Sequence, residues 1–285
     1  MHAVLKQHNT QSFTSTGEPK KPKKSGLMNV SAKTSTMVNC WASPLGGCGG
    51  KISREHLVSR ALFIGDHIAV QGFPWCKNEP KTIGLANVTA KILCRKHNSD
   101  LSDLDSAAAK FFDAIRQATR ICNVRSKLKP GIWHVKRFAV DGLKLERWFL
   151  KTLINLAWTA KHPIGPQSEM IGVPSADLVE IAFGLKQFER GAGLYTVAHV
   201  GQLIHSNDTV QFAPMIKDDL YIAGGLFVFR GFRFLFILVS KQISRLPLGI
   251  GLPGENWGAS QLNFHNREMR GTVGKYLSHI IKIKW

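Results

Sequence analysis

Negative charge is scarce in this sequence. Only 19 Asp and Glu stand against 38 Lys and Arg, which leaves a formal charge of +19 on 285 residues. A chain so poor in acid selects a polyanion as partner, nucleic acid first and an anionic membrane surface second. The excess is not local. Up to residue 124 there are 17 basic and 8 acidic residues, a balance of +9, and beyond it 21 and 11, a balance of +10.

Cysteine is sparse as well. Five of them, an odd number, do not make a disulfide framework in a chain of this size, and a reducing, cytoplasmic setting is expected. The first 26 residues lack the apolar core of a secretory signal. An uninterrupted apolar span is missing too. The stretch "LYIAGGLFVFRGFRFLFILVS", residues 220–240, has the length but carries Arg230 and Arg233 near its centre, where each is costly in lipid. Arg230-Gly231-Phe232 reads instead as a tight hairpin between two strands, so no membrane is expected as a partner. No internal repeat is evident.

What is present is a globular composition, 44% hydrophobic, in a chain long enough for one large domain or two ordinary ones. Residues 1–26, with Lys20, Lys21, Lys23 and Lys24 around Pro22, read as a solvated, disordered basic arm that contacts phosphates, serves as a nuclear address or only aids solubility. Residues 38–98 read as irregular, with four glycines flanking Cys48. From Asn98 to about Arg120, Leu101, Leu104, Ala108, Phe111, Phe112 and Ile115 fall on one face of a helix. A strand over 132–140 ends at Asp141-Gly142, a buried helix follows over 143–160, and Ser175 is placed to cap another helix running to about Phe188. From Gly193 onward, short β-branched and aromatic runs alternate with turn signals at 206–208, 217–219, 230–231 and 247–254, the pattern of an antiparallel sheet.

Chemistry concentrates before residue 110. Cys94 and His97 have two residues between them, the spacing at which two side chains grip one tetrahedral zinc. Cys40 and Cys48 complete a set of four, with a longer interval that the neighbouring glycines make feasible. The alternative is that Cys40 and Cys48 are unrelated buried or loop thiols. Cys76 and Cys122 have no partner at ligand spacing and read as ordinary cysteines. A zinc joining the loop before "REHLV" to the start of the following helix brings Glu55, His56 and Asn98 together.

That order of cysteine pair, acid and histidine, asparagine, and second knuckle running into a helix resembles the HNH endonucleases, the zinc-knuckle branch of the ββα-metal nucleases, over about residues 40–110. The run "CRKHNSDLSDLD" is similar to a subgroup whose second knuckle is Cys and His. The resemblance implies an α+β protein: a treble-clef-like ββα-metal nuclease module at 27–124, followed by a helix and antiparallel β-sheet domain of unknown role at 125–285. It also implies site roles. His56 matches the general base, Glu55 stands where the family usually has an Asp ligand of the catalytic ion, Asn98 matches the residue completing that ion site, and Asn87 is the candidate for the central Asn that holds the loop.

The residue types suit phosphodiester hydrolysis, which needs an activated water and relief of charge on the phosphoryl oxygens. A neutral imidazole, with an ordinary pKa of roughly 6.5, suits the first task. Oxygen donors such as a carboxylate and an amide select magnesium or manganese for the second, while zinc belongs with sulfur as a structural ion. The expected function is therefore a metal-dependent endonuclease acting on DNA more than RNA. The competing expectation is a zinc-stabilised nucleic-acid-binding protein without catalysis, which needs none of Glu55, His56 or Asn98. A third assigns the working part to the carboxyl half, as a sensor or oligomerisation domain, although no motif stands out beyond residue 124.

Overall fold

A computed structural model describes residues 39–129, 131–166, 168, 172–197, 209–229, 232–239, 262–264, 268–272 and 278–285. All belong to one compact unit, Thr34–Trp285. The basic arm at 1–26 and the turn signals at 206–208, 230–231 and 247–254 lie outside the described residues.

Four short strands form where the sequence reads as irregular: β1 (Ile52–His56), β2 (His67–Gln71), β3 (Lys81–Gly84) and β4 (Thr89–Cys94). Each is too short, and too closely bounded by Gly, Pro and Asn, to display a period of two. β1 and β4 pair antiparallel, from Ile52 opposite Cys94 to His56 opposite Thr89, with an irregularity between Ser53 and Arg54. β4 then runs directly into α1 (Arg95–Asp100), whose N-cap is Cys94, its thiol accepting from the His97 amide. α2 (Ser102–Arg125) follows at once and buries Leu104, Ala108, Phe111, Phe112 and Ile115, the face its spacing predicts. The single helix expected from Asn98 is thus two, joined at Leu101, and the first begins earlier.

β5 (Lys136–Asp141) ends where expected, and Asp141 caps α3 (Gly142–Ala160) by accepting from the Lys144 amide at 3.0 Å. Gly142 is required by close approach: a Cβ there would lie 2.6 Å from Ile283 Cγ2. Ser175 caps α4 (Ala176–Phe183), which stops at Gly184 in the left-handed region rather than running to Phe188.

The remaining strands are β6 (Gly193–Val197), β7 (Thr209–Lys217), β8 (Tyr221–Phe229), β9 (Phe232–Ile237), β10 (Leu262–Phe264), β11 (Glu268–Thr272) and β12 (Ser278–Lys284). Seven strands form one sheet in the order β10-β6-β9-β8-β7-β2-β3, and β11-β12-β5 form another. β8 and β9 pair from Phe229 opposite Phe232, consistent with the tight connection expected between them. The β7–β8 connection is a three-residue loop, 218–220, in which Asp218 and Asp219 are both at positive φ, 51° and 56°. The sheets are not purely antiparallel: β2 pairs parallel with β7, and β12 parallel with β5.

The boundary expected at 124/125 falls in the last turn of α2, and the seven-stranded sheet draws β2 and β3 from before it and its other strands from after it. Hydrophobic periodicity specifies which face of an element is buried but not its partner, and here the partners lie across that boundary. α3 lies against α2 in an aromatic core where Phe112 meets Phe229 at 4.8 Å and Phe149 meets Phe234 at 5.0 Å between ring centroids. Among the described residues, no helix is long and apolar enough to cross a membrane.

Candidate metal centre and active site

Cys40, Cys48, Cys94 and His97 converge, their ligand atoms all lying within 4.8 Å of one another. His97 Nδ1 is 3.4 Å from Cys40 Sγ and 3.7 Å from Cys48 Sγ. A tetrahedral zinc with ordinary Zn–S and Zn–N bonds sets its sulfur and nitrogen ligands about 3.6 Å apart. The donor set and its spacing fit that ion. Main-chain amides complete the cradle: Gly49 N and His97 N point at Cys94 Sγ, at 3.5 and 3.4 Å, and Cys94 N points at Cys40 Sγ at 3.4 Å. Local sequence explains the geometry. Gly46 and Gly47, both at positive φ, turn the loop that returns Cys48, and the start of α1 places Cys94 and His97 on adjacent corners.

The thiols are not equivalent. Burial pushes Cys40 up to about 12. Burial also acts upward on Cys94, but hydrogen bonds from the His97 and Gly49 amides and from the neighbouring thiols outweigh it and bring Cys94 below its usual value. A bound zinc deprotonates coordinating thiols outright. Cys76 and Cys122 are buried elsewhere, outside the cluster.

The cluster staples the loop to the β1–β4–α1 unit, and this puts the remaining candidates in place. His56 ends β1, half-buried, opposite Thr89. Asn98, on α1, donates from Nδ2 to Ser53 Oγ on β1 at 3.0 Å, and Ser53 donates on to the Leu93 carbonyl. Asn87 closes a 3-10 turn (Leu85–Asn87) just before β4 and is exposed, with no side-chain hydrogen bond among the described residues. The main chain holds this loop: Leu57 N donates to Val88 O at 2.9 Å.

Glu55 faces away from His56, as consecutive strand residues do. It is only 5% exposed, and its Oε1 lies 2.6 Å from Lys151 Nζ. Lys151, on α3 and 1% exposed, also reaches Asp105 on α2 at 2.8 and 3.0 Å. Burial alone would lower the Lys151 pKa, but the two carboxylates beside it hold the ammonium above its usual range. Asp105 also accepts from Ser59 Oγ, which in turn accepts from Trp148 Nε1 at 2.7 Å. Asn155, fully buried on α3, accepts from Trp41 Nε1 at 3.0 Å and donates to the His56 carbonyl at 3.4 Å.

Lys151, Asn155, Trp148, Asp105 and Ser59 are the residues that sequence reasoning missed. The only signal for Lys151 and Asn155 was a polar residue on an otherwise apolar helix, "LKLERWFLKTLINLAWTA". His56 is held below its usual range, first by burial and then by the nearby Arg60. The zinc ligands are brought together as the spacing predicts. The carboxylate of Glu55 is engaged by Lys151 and the amide of Asn98 by Ser53, and among the described residues the Cys and His cluster is the one group of three or more His, Cys, Asp or Glu side chains close enough to share a metal.

No protein-family model, no curated protein and no solved structure matches the chain. What the fold and centre define is an α+β protein with a multi-stranded sheet and a Cys and His cluster able to hold a metal such as zinc.

Proposed function

We propose that this chain is an HNH-type endonuclease that hydrolyses phosphodiester bonds, of DNA more than RNA, with zinc as a structural ion. One observation carries the reading: the antiparallel β1–β4 pair runs straight into α1, the Cys and His cluster pins it, and it holds His56 at the end of β1 and Asn98 on α1. A ββα-metal module has this order of parts. His56 takes the proton from the attacking water, a role suited to an imidazole kept neutral by its surroundings. Asn155 and Asn98 orient it indirectly, the first through the His56 carbonyl and the second by fixing α1 to β1. Lys151, Asp105 and Ser59 keep β1 anchored to α2 and α3.

The magnesium or manganese ion that the resemblance implies does not fit this arrangement of residues. Asn98 has its nitrogen committed to Ser53 and offers one carbonyl oxygen, while the Glu55 carboxylate is committed to Lys151. The chemistry above is therefore assigned to His56 and not routed through the ion.

The commitment of Glu55 to Lys151 favours a second reading, in which the same scaffold binds nucleic acid without turnover. Incubating purified protein with plasmid and with structured RNA, in magnesium, manganese or chelator, separates the two. Cleavage that needs the divalent ion and disappears in chelator supports the first reading and requires Glu55 to exchange partners. Retention without cleavage under every condition supports the second.

A further inference from the structure

The β1–β4 ladder places two positive side chains directly opposite one another. Arg54 pairs with Lys91, two residues along β1 from the pair formed by His56 and Thr89, and both cations are exposed. Alternate residues of a strand share a face, so Arg54 and His56 project from the same side of β1. Side chains facing each other across a ladder are separated by only roughly 5 Å at Cβ, and like charges there destabilise the sheet. Some exposed cations nearby are offset, Arg60 by Asp66 at 3.1 Å and Lys96 by Asp100 at 3.2 Å, while Lys51 and Arg95 at the far end of the ladder add to the uncompensated charge. Arg54 and Lys91 take part in no ion pair among the described residues. The adjacent acid on β1, Glu55, is turned inward to Lys151 rather than outward to neutralise them. A two-stranded sheet that keeps such a pair uncompensated has a cost that an anionic ligand would remove.

We propose that Arg54 and Lys91 form a two-point clamp for the phosphate backbone of a nucleic-acid strand, seating it along the face of the β1–β4 pair that carries His56. The partner follows from the nucleic-acid reading above, but the clamp serves the cleaving and the non-cleaving forms alike. A phosphate bridging the two cations converts their repulsion into attraction for a shared anion, and it places the neighbouring phosphodiester beside the imidazole. The chain's excess of 19 positive charges brings the polyanion to the surface, and this pair fixes where it lies.

The test is the salt dependence of binding by the full zinc-loaded chain, measured by fluorescence anisotropy without added magnesium or manganese, with a labelled DNA duplex and a labelled single strand. Removing one phosphate-binding cation lowers the slope of log affinity against log salt by ~0.9 for duplex and ~0.7 for a single strand. Arg54→Ala with Lys91→Ala is expected to lower the slope by roughly 1.8 and 1.4, narrowing the fall in duplex affinity between 50 and 200 mM salt about ten-fold. A control of equal charge, Lys127→Ala with Lys129→Ala on exposed residues after α2, is expected to change the slope far less. Arg54→Glu supplies Lys91 with an opposite charge; it should hold or raise the melting temperature while it weakens binding. The clamp is overturned if the two double variants lose slope equally, if the Arg54 and Lys91 variant keeps the wild-type slope, or if the wild type retains neither probe. Because these assays run without added magnesium or manganese, they leave the cleavage reading to its own test: binding with the predicted slopes but no cleavage keeps the clamp and removes the nuclease.

Discussion

Lys151 Nζ lies 2.6 Å from Glu55 Oε1, joining the middle of α3 to β1 in the interior of the protein. Asp105 completes the contact from α2, so one ammonium holds two carboxylates from two other elements. The strand that bears His56 is thereby anchored by Lys151, from the half of the chain where the sequence shows no motif.

Removing that ammonium should be costly. Lys151→Met keeps the volume but leaves two carboxylates facing a site without a counter-charge, and breaking a buried pair in this way costs about 3–5 kcal/mol. Denaturant unfolding should show that loss, and the double variant Lys151→Met, Glu55→Gln should recover part of it. A single variant as stable as the parent would mean that the Lys151 contacts contribute nothing net.

Purified protein should carry about one zinc per chain, since binding of a structural zinc is coupled to folding. Cys94→Ser and His97→Ala should each lower zinc content and thermal stability, because both residues hold the start of α1 to the loop of Cys40 and Cys48. Cys76→Ser and Cys122→Ser should leave zinc content unchanged. Elemental analysis of the parent and these variants decides it, and well-folded parent protein without zinc would remove the metal centre from the account.

The parts legible in the sequence were those whose partners are near in the chain or whose spacing encodes a geometry. Cys94 and His97 announce a shared ion by their interval, and Ser175 and Asp141 announce helix starts by their position before an apolar run. The pairing of β8 with β9 was legible because the sequence places two apolar runs close together in the chain. What was hidden depends on distance. Trp41 and Asn155 are 114 positions apart, and nothing local marks one as donor to the other. The same holds for β2 pairing with β7, which makes one sheet from two regions that look independent. Glu55 could be read as a candidate ligand but not as a buried anion, because its burial is created by α3.

Asn155→Ala should test that distant support. The substitution removes the acceptor of Trp41 Nε1 and the donor to the His56 carbonyl. Leaving such a buried donor unsatisfied costs about 1–3 kcal/mol. On the proposed reading it should also lower the cleavage rate more than the affinity for uncleaved DNA, with zinc content retained. Equal loss of both would make Asn155 a stability residue only.

Glu146 gives the fold a pH dependence of its own. Its carboxyl lies within the protein, accepting from Leu194 N at 3.0 Å, and burial pushes it up from 4.5 to about 7. The folded state then binds more protons than the unfolded state between those values. Stability from this group is fully present below about 4.5 and is lost as pH rises through 7. The shift corresponds to at most ~3 kcal/mol. Comparing unfolding free energies of the parent and Glu146→Gln from pH 4.5 to 8 should show a decline in the parent that the variant lacks. Parallel curves would contradict the assignment.

His56→Ala is the most direct test of the nuclease proposal. With plasmid DNA and magnesium or manganese, the variant should lose cleavage by ~10²–10⁴-fold, the usual contribution of a general base. Its zinc content, melting temperature and affinity for DNA without added magnesium or manganese should match the parent, because His56 ligates no structural metal and lies outside the Arg54 and Lys91 pair. A variant that cuts as fast as the parent would contradict the assignment of His56 as the base.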